Sequence, residues 1–169
     1  MVFTKKCTSK LIPYFEYISE IPDELMRQLE KTIDRGYNDI KLDKKANGRN
    51  ITKILNTIAE GFIADNRMPK SFADEHELAV TIGALFGYAV CMQYNWKWAM
   101  LGKSKEAATV SIVSPGNSYC IMPLNYAYKV LNGEKSGFYG EYDNSMYLMF
   151  CALRDIDSKP SGKLFTLLQ

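Results

Sequence analysis

Between Asn50 and Asp65 the apolar residues return at helical spacing. Ile51, Ile54, Leu55, Ile58, Phe62 and Ile63 fall on one stripe, so the pattern predicts a helix with that stripe turned inward. Met68-Pro69-Lys70-Ser71 breaks it. An earlier helix is predicted from Pro22, which suits a first turn because its missing N–H leaves no bond unmade. Asp23 and Glu24 match the positive end of its dipole, Leu25, Met26, Leu29 and Ile33 mark its inner face, and Gly36 is the expected stop. A third helix is expected to start after Ser71 or Asp74, each of which has an acid three residues on. It carries Ala79, Gly83 and Gly87 at four-residue steps, and small residues in a row let another backbone come close. Each glycine costs roughly 1 kcal/mol of helix propensity relative to alanine, so close packing has to offset it.

The period then changes to two. Trp96, Trp98 and Met100 alternate with Lys97, Ala99 and Leu101, which predicts a strand. Gly102 to Glu106 reads as a turn. Ala107 to Val113 reads as a second strand, with Ala108, Val110 and Ile112 facing one way. Ser114-Pro115-Gly116-Asn117 is a turn signal, and Tyr119 to Met122 is a third strand. The expectation is a small antiparallel meander covered by the Leu78–Met92 helix. A helix is expected from Pro123 through Tyr126, Ala127, Val130 and Leu131, then a loop from Glu134 to Gly140, and a last helix over about 142–153.

At the ends, residues 1–13 read as a loose lead-in. The cluster Leu11, Ile12, Tyr14, Phe15, Tyr17, Ile18 and Ile21 is too apolar for a free tail and is expected to dock on the body. Residues 157–162 read as a linker, and 163–169 are apolar enough to pack back. The fold class is therefore α+β, with a helical N-terminal half followed by a small antiparallel sheet of about three strands packed by helices. Residues 1–169 are expected to form a single domain, with 1–70 a helical extension on an α+β unit at 71–155.

Composition narrows the partners. Apolar residues make up 47% and charged residues 24% of 169, so a sizeable core can form. With 21 basic and 19 acidic residues the formal charge is +2, which gives no global attraction to nucleic acid. The nearly pure apolar run 78–92 is short for a bilayer crossing, and the N-terminus shows no apolar signal region. The expectation is a soluble, cytoplasmic protein with neither a nucleic-acid nor a membrane partner.

Candidate chemistry is sparse. Cys7, Cys91, Cys120 and Cys151 contain no C-x-x-C, which excludes a zinc ribbon or a thioredoxin-type motif. Reduced, buried thiols are expected, with a Cys120–Cys151 disulfide as the alternative. His76 stands among Asp74, Glu75 and Glu77, but neighbours in sequence fan out around a helix, so a solvated first-turn residue is expected. Cys91 is some four turns further along the same helix, out of reach for a dyad. No metal and no cofactor is expected, and no Gly-x-Ser-x-Gly, Walker or dinucleotide fingerprint occurs.

Glu141 and Asp143, beside Tyr139 and Tyr142, either cap a helix or form a polar–aromatic site able to support acid–base hydrolysis. Trp98 is a core anchor or a platform for a flat ligand. Lys41, Lys44, Lys45, Arg49 and Lys53 could meet phosphates, but without interleaved aromatics they read as a solvated connector. Eleven tyrosines fit a protein interface, where a large, stiff, amphipathic side chain is favoured.

Four pieces in order carry a resemblance. They are Ile82-Gly83-Ala84-Leu85-Phe86-Gly87-Tyr88, Trp96-Lys97-Trp98, Val110-Ser111-Ile112-Val113-Ser114-Pro115-Gly116, and the run from Met122-Pro123-Leu124-Asn125 to Asn132-Gly133-Glu134. Over about a third of the chain this resembles the DUF3806-type domain, a bacterial family of unknown function. The resemblance implies an α+β domain with no assigned catalytic residues, and an association of such small proteins with toxins as immunity proteins. The expected function is thus non-enzymatic binding of another protein, such as a cognate toxin, with a homodimer compatible. The alternatives are a small hydrolase-type enzyme or a small-ligand sensor using a pocket beside the sheet.

Overall fold

The helix that begins at Glu75 lies at the centre of the structure. In the computed structural model, residues 10–13, 17–134, 145–156 and 164–168 are described. The chain runs β1 (Lys10–Pro13), β2 (Tyr17–Ser19), α1 (Asp23–Asp39), α2 (Gly48–Asp65), α3 (Glu75–Tyr94), β3 (Lys97–Gly102), β4 (Thr109–Val113), β5 (Tyr119–Ile121), α4 (Pro123–Leu131), α5 (Met146–Ala152) and β6 (Leu164–Leu167).

Asp74, not Ser71, starts α3: its Oδ1 accepts the Glu77 N–H at 2.8 Å, while Glu77 reaches back to accept the Ala73 N–H at 2.7 Å. From Leu78 to Val90 all residues but Val80 and Tyr88 are buried. By length and composition α3 could cross a bilayer, but it is apolar all round because α1, α2 and α4 enclose it and β3 approaches from the remaining side. Its small residues serve two neighbours. A Cβ on Gly83 would lie 2.8 Å from the Pro123 carbonyl at the start of α4, and Gly87 faces the Trp98 ring on β3.

Two expectations about the first helices need correction. Gly36 does not stop α1. It is buried against Thr81 and Leu85 of α3, and the helix continues to Asp39. The turn that ends it has Lys41 at φ 56, with the Leu42 N–H reaching back to the Tyr37 carbonyl at 2.9 Å. In α2 the buried stripe is narrower than expected. Ile51, Thr52, Leu55 and Ala59 face the core, whereas Ile54 and Ile63 are exposed and Ile58 and Phe62 half-buried. Packing on α3 from one side uses residues at steps of four, and Ile54 lies on the outward side of that ridge.

The expected meander β3–β4–β5 is present. Among the described residues it lies within a six-stranded sheet of order β1-β6-β5-β4-β3-β2. The sheet is mixed, because β5 and β6 run parallel. Lys10–Pro13 is a strand rather than a lead-in, and 164–167 packs back as β6. β1 and β2 occupy opposite edges yet run in the same direction and are joined by only three residues. That link spans at most about 14 Å. Five inter-strand gaps in a flat sheet would separate the edges by about 24 Å. The sheet therefore curls until the two halves of the N-terminal segment nearly close it into a barrel.

The curl explains a second apolar cluster, Ala99, Leu101, Val113, Cys120, Phe165 and Leu167, which belongs to the sheet face opposite the helices. A ring this small has room for side chains but not for a helix, so that face is the inside. The outer face carries Trp98, Ile112 and Ile121 into the helical core, where Ile33 of α1, Leu55 of α2 and Ile82 of α3 also meet.

Candidate interaction surface

Of the residues singled out by the sequence, Trp98 lies half-buried at the margin of the helical core, with its ring against Gly87. Its ring packs against the helical core. Tyr139, Glu141, Tyr142 and Asp143 lie outside the described residues. His76 is exposed at the start of α3, and the Tyr128 hydroxyl of α4 meets its Nδ1. Cys91, Cys120 and Cys151 are free, so Cys120 and Cys151 are not joined. Burial pushes the Cys91 and Cys120 thiols up to about 12, which keeps them protonated and unreactive at neutral pH. Among the described residues no three His, Cys, Asp or Glu side chains converge as a metal site.

The outward side of α2 is different. Ile54 is 37% exposed there, whereas Ile63, nine residues on and so half a turn round the helix, lies beside Gly133. Ile54 and Ile58 form one wall of a groove of about 510 Å³, closed by Ile40 after α1 and by Pro69 in the connector to α3. A second hollow of about 310 Å³ continues it over Ile58, Gly61 and Met68. A Cβ built on Gly61 meets nothing within 4 Å, so this end of the groove is open. Lys41 and Lys70 stand on the rim. The acid there, Asp39, is held by Arg35 at 3.1 Å, and Arg67 is paired with Asp65.

A separate contact lies near the start of α2, where it meets α5. Arg49 Nε donates to the Tyr147 hydroxyl at 3.0 Å, and Lys53 Nζ lies 5.5 Å from the centre of the same ring. Tyr147 sits on α5, whose first turn is fixed by Ser145. The Ser145 hydroxyl accepts the Leu148 N–H at 3.3 Å and donates to Asn56 Oδ1 of α2 at 2.8 Å. The Tyr126 hydroxyl donates to the Ser145 carbonyl at 3.2 Å. Leu148, next to Tyr147, is exposed.

The charges of α2 oppose its dipole. Arg49 sits in a first turn that holds no acid, and Asp65 in a last turn that holds no base. Each such placement costs about 0.3–1 kcal/mol. Two things hide these surfaces in the sequence. Ile54 and Ile58 share helical spacing with truly buried residues, and the aromatic partner of Arg49 and Lys53 is 98 residues from Arg49. The basic run 41–53 therefore reads as a connector lacking aromatics, although the fold supplies Tyr147.

No family model, curated protein or solved structure matches this chain.

Proposed function

We propose that the chain is a non-enzymatic protein-binding domain that engages its partner with the outward side of α2. The observation that carries this reading is the apolar surface of exposed Ile54 and half-buried Ile58, which with Ile40 and Pro69 lines a lysine-rimmed groove. Contiguous apolar surface with a polar margin marks interaction sites on folded proteins. The opposed charges of α2 add support, since they lower helix stability without serving the core. The resemblance to DUF3806-type domains supports a more specific form of the reading, in which the partner is a toxin met in the bacterial cytoplasm and neutralised by occlusion.

The test is quantitative capture from the native host with the wild type and with Ile54→Asp/Ile58→Asp. Both side chains line the groove, and because Ile58 also packs on the core, circular dichroism establishes that the variant is folded and Ile54→Asp alone is run beside it. A partner enriched by the wild type and lost with the variant is the expected result. A partner that is retained, or none enriched by either protein, contradicts the reading. Light scattering on the same pair shows whether this surface instead joins two copies of the chain.

A further inference from the structure

We infer that the groove beside α2 receives an amphipathic helix of the partner protein whose flanks are acidic. This rests on the protein-binding reading above and specifies the chemistry of the bound segment. The two hollows share Ile58 and Pro69, so they form one trough along α2 from Ile54 to Gly61. Seven residues of helix rise about 10 Å, enough to seat two turns of a second helix alongside. The floor is isoleucine and proline, which suits leucine-like side chains at helical spacing. The open space above Gly61 lets the incoming backbone come close.

Charge complementarity sets the flanks. Among the described residues neither Lys41 nor Lys70 pairs with a carboxylate, while Asp39 beside them is already held by Arg35. The groove therefore presents two uncommitted cations around an apolar floor. Lys41 is also an unusual choice for its backbone. The turn after α1 has Lys41 at positive φ, whereas α2 and α3 close on Asn66 and Asn95 in that conformation. A lysine there costs about 1 kcal/mol more than glycine. Nucleic acid is a poorer match: the floor offers no aromatic ring for a base to stack on.

The probe is a synthetic helical peptide with leucines on one face and glutamates on both flanks. Titrated into the isotope-labelled full chain, it should shift amide signals at 40–41, 54–61 and 67–71. Lys41→Glu/Lys70→Glu should weaken it about tenfold or more, and a peptide with lysines in place of the glutamates should bind that variant better than the wild type. Equal binding of both peptides to the wild type overturns the inference, as does a signal map elsewhere or displacement of the peptide by duplex DNA. If the peptide fails while host capture still depends on Ile54 and Ile58, the acidic helix is wrong and the protein-binding reading stands. If capture fails as well, both fall.

Discussion

The Trp98 ring occupies the space that a side chain on Gly87 would need. A Cβ there would lie 2.7 Å from Trp98 Cζ2 and closer still to the ring's outer corner. The glycine thus sets how near β3 comes to α3. Gly87→Ala should gain about 1 kcal/mol of helix propensity and, because the clash is with a rigid ring, lose about 2–3 kcal/mol to overpacking, for a net loss of about 1–2 kcal/mol. Gly61→Ala, which meets open space, should instead gain about 0.5–1 kcal/mol. Urea denaturation of the two variants, with tryptophan emission as the probe, checks the opposite signs.

Ser145 joins three elements through one residue: it caps α5, holds Asn56 of α2 and accepts from Tyr126 of α4. Ser145→Ala removes the cap and leaves the Asn56 amide oxygen without that donor. A loss of about 1–2 kcal/mol is expected, seen as a lower denaturation midpoint with unchanged slope. Because α5 positions Tyr147, amide exchange should also rise across 146–152.

Cys120 gives a pH dependence with a defined sign. Its folded pKa is pushed up to about 12 by burial, against about 8.5 in an unfolded chain. Below the unfolded value both states keep the proton and nothing changes. Above it the unfolded chain loses the proton first, so stability falls as pH rises toward about 12. Cys120→Ala should make the loss of stability between about pH 9 and 11 shallower by up to about 1.4 kcal/mol per unit. Stability curves for the variant and the wild type across that range test it, and equal slopes would refute it.

Lys41 separates stability from binding. Lys41→Gly relaxes a φ of 56 and should stabilise the fold by about 1 kcal/mol. It also removes one rim cation, so affinity for the acidic peptide should drop several-fold. Thermal unfolding and calorimetric titration of the same protein should therefore move in opposite directions.

The α+β class and the central helix were legible because their signals are local. The Asp74–Glu77 pair marks a helix start, and the glycine row of α3 announces a close neighbour. The meander was legible from the alternation around Trp98 and the Ser114–Asn117 turn. The closing of the sheet was not. β1 and β6 are short strands more than a hundred residues apart, and only the pairings show that β1 and β2 take opposite edges of the sheet. The inner cluster was hidden for the same reason, since Ala99 and Leu101 face away from the helix expected to cover the sheet. In α2 the helical period was clear, but period alone does not say how wide the buried stripe is. It turns Ile54 and Ile58 inward, whereas the structure leaves Ile54 exposed and Ile58 half-buried.

If a partner protein binds the outward side of α2, that surface must lose solvent contact in the complex. Hydrogen–deuterium exchange on the chain, free and in complex with the protein captured from its host, tests this most directly. Protection concentrated in 38–42, 52–63 and 67–71, with the barrel strands unchanged, is the predicted result. Protection confined to the sheet or to the start of α3, with those three segments exchanging as in the free chain, would contradict it.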